Sequence, residues 1–196
     1  MTTDAPAIET QLDAIKAAMK AGRFDEAEHL ADAVLETAPD NTDALYMAAA
    51  TARYLDRTDK AFALLDRLKR AAPDYGRAFQ EEGHLYRKLA RPEEAIAAYM
   101  LAVRWNPALV ASWNALSDLN TQLGRTIEAQ EAAAQAQRLQ QLPRELLAVT
   151  NHIHEGRVLH AERIARAFMQ KNPRHTEGMR LLADIGTRLG VHEDAD

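Results

Sequence analysis

The sequence predicts an all-α fold, a right-handed solenoid of tandem antiparallel helix pairs, and three observations carry that prediction. First, Ala27, Ala61, Ala95 and Ala129 lie 34 residues apart, Ala161 follows after 32, and Ala195 after 34 more. Second, Pro39, Pro73 and Pro107 keep the same interval, with Pro173 after 66, and Gly22, Asp56, Ala90, Gly124, Gly156 and Gly190 run in step with both series. Self-similarity at a fixed period in this range marks stacked supersecondary units that bury a continuous core between neighbours. Third, Ala, Leu, Glu, Arg and Gln are abundant while aromatic residues make up only 6% of the chain, a balance that favours helix over strand.

Taking Ala27 and its equivalents as the twentieth residue of each unit gives repeats at about 8–41, 42–75, 76–109, 110–141 and 142–175, with a truncated sixth at 176–196, all in one domain. The first repeat has Ile15 and Ala18 on one helical face and Ala27, Ala31 and Val34 on the next. The second has Leu45, Ala49 and Ala52, then Ala61, Leu65 and Leu68. In the third, Phe79, Gly83 and Tyr86 make an i, i+4, i+7 stripe. Ala90-Arg91-Pro92 turn the chain, and Ala95, Tyr99 and Ala102 line the second helix. Asn106-Pro107 ends that unit, because the residue before proline is pushed out of helical geometry. The fourth offers Trp113, Leu116 and Asn120, then Ala129, Ala133 and Ala136, and loses two residues near Gln140 and Gln141, in its second helix or its exit turn. The fifth has Val149, His152, Ala161, Ala165 and Phe168. In the sixth, Met179, Leu182, Ala183 and Gly186 form the packing face, and Gly190 to Ala195 read as a turn and the opening of a second helix. Leu181, Leu182, Ile185 and Leu189 would then be partly uncovered. The expectation is a fragment of a longer protein, or self-association through that uncapped end.

These residues resemble the tetratricopeptide repeat family. The third repeat matches the family signature best, with Phe79, Gly83, Tyr86, Ala95, Tyr99, Ala102 and Pro107. The fourth supplies Trp113, Leu116, Gly124, Ala129 and Ala136 but has Gln141 where the family has proline. The resemblance implies a protein-protein interaction scaffold that receives a partner segment in its concave groove. A narrower resemblance, carried by residues 151–157 and 178–186, is to the N-terminal repeat region of bacterial proteins that join such repeats to a sulfotransferase domain. It implies a second reading, a substrate-presenting or regulatory arm of a larger enzyme whose catalytic domain is absent here.

Composition narrows the chemistry. The chain has no cysteine, which excludes disulfides, thiolate catalysis and cysteine-based zinc sites. The N-terminus lacks a basic region followed by an apolar one, and no apolar run approaches the roughly 20 residues that span a bilayer. A cytoplasmic location is expected. The formal net charge is −5. Residues 1–41 carry nine acidic and three basic side chains, and the remainder is nearly balanced, so general nucleic-acid binding is not expected. Seven histidines show no ligand spacing. His152 and His154, two apart, point to different sides of a helix. The paired carboxylates Glu81-Glu82 and Glu93-Glu94 diverge for the same reason, and no glycine-rich phosphate loop is present. No catalytic residue, metal ligand or cofactor is expected.

The informative surface is the groove. The resemblance places positions 5, 9, 12 and 13 of each first helix on it. Lys16, Lys20, Tyr46, Arg53, Tyr54, Gln80, His84, Arg87 and Lys88 are the binding candidates in the first three repeats, with Asn114 and Asp118 in the fourth. Across all six repeats these positions hold seven Lys or Arg against two Asp in a chain of net charge −5. An acidic or phosphate-rich protein or peptide segment is the expected partner.

Overall fold

The computed structural model describes residues 5–190. Among these residues there are eleven α-helices and no strand, and successive helices pack as pairs. The chain divides into two compact units, Met1–Ala98 and Tyr99–Asp196.

The first unit contains α1 (Ala5–Lys20), α2 (Phe24–Thr37), α3 (Thr42–Tyr54), α4 (Thr58–Ala71) and α5 (Gly76–Lys88). Each helix packs on the next, and the first helices α1, α3 and α5 also touch their neighbours in turn. Asn41 caps α3 by accepting a hydrogen bond from the Ala44 amide at 2.9 Å. The core is built from Ile15, Val34, Leu45, Leu65, Leu68 and Leu85, all at most 1% exposed. Between them sit Ala27, Ala31, Ala49, Ala52 and Ala61, whose small side chains let the helix backbones approach closely. Gly83 and Ala95 are buried, while Phe79 and Tyr86 are half-buried at the edge of the core.

Helix α6 (Pro92–Trp105) begins in the first unit and ends in the second. The second unit continues with α7 (Val110–Gln122), α8 (Thr126–Gln140), α9 (Arg144–His154), α10 (Val158–Lys171) and α11 (Thr176–Leu189). The two-residue deletion does not shorten α8, which has 15 residues against 14 in α2, α4, α6 and α10. It falls on the exit turn, Gln141 to Pro143, and on α9, which has 11 residues where α3, α5 and α7 have 13. Pro143 takes the N-cap position of α9 with ψ 139°, and its fixed φ suits a helix start.

Two sequence expectations about packing are corrected. Ala133 is exposed, and Ala132 is buried in its place at 3%. Helix α8 buries an i, i+3, i+7 edge from Ala129, whereas the other second helices bury the i+4 residue, Ala31, Leu65, Tyr99 or Ala165, completely. In α11, Met179 is 48% exposed and Ala183 is exposed, so neither lies on the packing face. That face is Gly178, Leu181 and Ile185, and the last two, expected to be partly uncovered, are at most 2% exposed. Gly178 makes the close approach, because a Cβ there would overlap the Met169 thioether and touch the Phe168 ring at 3.4 Å. Leu182 and Leu189 are half-buried. Of the turn and helix opening expected from Gly190 to Ala195, Gly190 takes a left-handed conformation with φ 69° at the end of α11, and the rest lies outside the described residues.

Candidate protein-interaction surface

The first unit gathers most of the candidates at one end of its first helices. Lys20 lies in the last turn of α1, Arg53 in that of α3, and Arg87 and Lys88 in that of α5. Cations in a last turn complement the negative end of the helix dipole, so part of this arrangement serves folding.

Arg53 and Tyr54 are held by neighbouring side chains. The Arg53 Nε donates to a Glu81 carboxylate oxygen at 2.6 Å, and the side chains are 18% and 5% exposed. Burial opposes the charge on Arg53, but the Glu81 carboxylate holds its pKa above the ordinary value. Its guanidinium carbon lies 4.4 Å from the Tyr54 ring centroid. Tyr54 is stacked on Phe24 at 4.5 Å with an interplanar angle of 9°, yet it remains 53% exposed. A buried carboxylate on α5 thus orients an arginine on α3 against an aromatic pair whose outer ring, Tyr54, is exposed.

The other candidates are placed less uniformly. Lys88 pairs with Asp56, and Lys16 pairs with Asp13 at 2.9 Å on its own helix. Lys20 and Arg87 are exposed and carry no ion pair among the described residues. Gln80 is 8% exposed, which makes it a core-edge residue rather than an open contact. Tyr46 lies between the Tyr75 ring, 6.0 Å away, and Arg77, 5.8 Å from its centroid. His84 is half-buried, and burial together with Arg53 and Arg87 pushes its pKa down, against the pull of Glu81. In the second unit, Asn114 and Asp118 are exposed on α7.

The sequence reading missed the arginines that open the second helices. Arg23, Arg57, Arg91, Arg125 and Arg157 stand at intervals of 34, 34, 34 and 32 residues, a series visible in the sequence. Each amide donates to a carbonyl five residues back, as Arg57 does to Ala52 at 2.8 Å. Among their side chains, Arg23 binds Glu26 at 2.7 Å, Arg91 binds Glu94 at 2.7 Å, and Arg157 binds the Glu155 carboxylate, a side chain 4% exposed, at 2.8 Å. Arg57 meets Glu28, which is 4% exposed and also lies 3.1 Å from Lys60 of the next repeat. Charge in the first unit therefore stitches adjacent repeats together as well as decorating the surface.

His152 meets His160 edge-on at 4.5 Å across the α9–α10 pair, with its Nδ1 3.7 Å from Glu155. Among the described residues no group of three His, Asp or Glu is placed to hold a metal ion, and no helix is long and apolar enough to cross a membrane. The stretches that carried the sulfotransferase resemblance are repeat elements, the α9–α10 junction and the middle of α11.

Residues 18–82 and 76–109 match two family models, both described as tetratricopeptide repeat. A comparison with curated proteins gives no match. Among solved structures, the thermophilic tetratricopeptide-repeat protein TTC0263 of Thermus thermophilus is 20% identical, with a TM-score of 0.60 over 91% of this chain and 98% of its own. MamA of Desulfovibrio magneticus RS-1 is 23% identical, with a TM-score of 0.57 over 68% of this chain and 75% of its own. A chain in the structure of Naa15/Naa10 bound to HypK-THB is 18% identical, with a TM-score of 0.61 over 94% of this chain and 29% of its own. These likenesses establish the fold.

Proposed function

We propose that this chain, residues 18–109 of which match tetratricopeptide-repeat models, is a non-catalytic scaffold that holds an acidic segment of a partner protein on the face of α1, α3 and α5. The supporting observation is the arginine–tyrosine–phenylalanine stack anchored by Glu81, with the exposed cations Lys20 and Arg87 in last turns of the same set of helices. The stack is preorganised, so a partner loses little entropy in ordering it. A carboxylate would find charge in Lys20 and Arg87, and an apolar side chain would find the open edge of Tyr54.

The test is titration of the intact chain with a fluorescent Glu-rich peptide. Arg87→Glu and Lys20→Glu should each weaken binding by on the order of tenfold. Raising salt should weaken it further, because exposed charges are screened over about 10 Å at 0.1 M. Affinity indifferent to both changes would overturn the reading. Arg53→Glu is a poor probe, because it sets a second carboxylate against the buried Glu81 and tests folding instead. The alternative, an arm of a larger sulfotransferase, is supported only by residues 151–157 and 178–186, which lie outside the matched range and serve as ordinary repeat elements.

A further inference from the structure

Helix α6 departs from the other second helices on its solvent side. Met100, Leu101 and Trp105 are 55%, 39% and 39% exposed, and Arg104 is exposed among them. At i, i+1, i+4 and i+5 these four residues share one face of the helix. The repeat period supplies an internal control. The first repeat has Asp32, Ala33 and Thr37 at the three apolar positions, and the second has Asp66, Arg67 and Ala71. The fourth and fifth begin the same triplet with Ala134 and Arg166, and neither carries more than one large apolar side chain across it. Folding of a repeat therefore does not require apolar residues there. A contiguous exposed apolar face that the fold does not need marks an interaction site, and tryptophan and arginine are among the residues most enriched where binding energy concentrates.

We propose that this face of α6 is a second docking surface, made of other residues than the α1, α3 and α5 face, and that it takes an acidic amphipathic helix of a partner protein. Charge complementarity selects the occupant. Arg104, its guanidinium 5.7 Å from the Trp105 ring centroid, and Arg138, the equivalent residue one repeat on, are both exposed and carry no ion pair among the described residues. A helix that covers Met100, Leu101 and Trp105 with its own apolar stripe brings its flanking side chains to Arg104, and carboxylates there form charge-assisted hydrogen bonds. A second copy of the chain applying the same face would set arginine against arginine, which opposes self-pairing.

The experiment uses the intact chain and two labelled synthetic peptides with the same leucine stripe, one with glutamate and one with lysine on the polar face. Fluorescence anisotropy should show binding of the glutamate peptide and at least tenfold weaker binding of the lysine peptide, in line with about 1.4 kcal/mol per factor of ten. The triple variant Met100→Asp, Leu101→Ala, Trp105→Thr installs the residues of the first repeat at solvent-facing positions. It should melt with the parent chain and lose binding. All titrations are repeated in a Lys20→Glu, Arg87→Glu background, which removes the groove's share of glutamate-peptide binding, and there Arg104→Glu should invert the preference between peptides. Equal binding of both peptides, binding of neither, or full binding by the triple variant would overturn the proposal. So would a concentration-dependent dimer that the triple variant abolishes, which would give the face to a second copy. Adsorption to phosphatidylglycerol vesicles that the glutamate peptide fails to displace would overturn it too, by giving the face to a membrane.

Discussion

Ala132 and Ala133 are neighbours in sequence with opposite surroundings. The first is 3% exposed in the seam of α8 and the second faces solvent. The periodic reading chose Ala133 because it stands four residues after Ala129, the spacing that fits the other second helices. The helix axis rotation that selects i+3 over i+4 is set by tertiary packing, and two alanines in a row give the sequence no means of recording it. The distinction is measurable. Ala132→Leu should overpack the α7–α8 contact and cost about 1–3 kcal/mol, whereas Ala133→Leu should change stability by no more than about 0.5 kcal/mol. Chemical denaturation of the two variants checks it, and equal destabilisation would place both residues in the core. Arg53 shows the same limit for charge. Its repeat position announced a groove cation, but its partner Glu81 lies 28 residues away and is found only when the helices are packed.

At the scale of elements, the turn inside each helix pair requires a left-handed residue. Glycine supplies it at Gly22, Gly124 and Gly156, with φ between 71° and 73°, but Asp56 and Ala90 occupy the equivalent positions with φ of 61° and 55°. An L-residue in this conformation costs roughly 1–2 kcal/mol, while glycine's freedom in the unfolded chain costs roughly 0.5–1 kcal/mol. Ala90→Gly should therefore stabilise the protein by about 0.5–1 kcal/mol, visible as a higher Tm. Asp56→Gly should gain less, because it removes the carboxylate that pairs with Lys88. A lower Tm for Ala90→Gly would refute the strain argument. These turns also show what the sequence made legible. The starts of α3, α5, α7 and α11 at Thr42, Gly76, Val110 and Thr176 coincide with the repeat frame, because turn residues and small core residues recur at fixed intervals. The candidate surface was legible as residue types at those intervals. Its ranking was not, because whether Lys20, Arg53 or Lys88 presents its charge depends on which acid each side chain reaches.

At the scale of the whole molecule, each unit contains a histidine whose burial couples folding to pH. His84 in the first unit has its pKa lowered by burial and by Arg53 and Arg87, and Glu81 opposes them. His154 in the second is lowered by burial and by Arg188, while Asp184, the Trp105 carbonyl and Glu155 oppose the shift. The folded protein thus favours both imidazoles neutral, while the unfolded chain takes up protons near the ordinary histidine value of about 6.5. Below that pH the unfolded state binds more protons, so stability falls as pH falls. It is fully present above about pH 6.5 and declines toward the depressed folded values. The carboxylates Glu94 and Glu177, held low by Arg91 and Arg180, lose their contribution only below the ordinary carboxylate range, so the two windows separate. The midpoint of urea unfolding should therefore be level between about pH 8 and 7 and should drop between about pH 6.5 and 5. His84→Gln and His154→Gln should each flatten that drop, and the double variant should remove most of it. A midpoint that stays level through the histidine window, or a drop that survives in the double variant, would show that these two imidazoles do not carry the coupling.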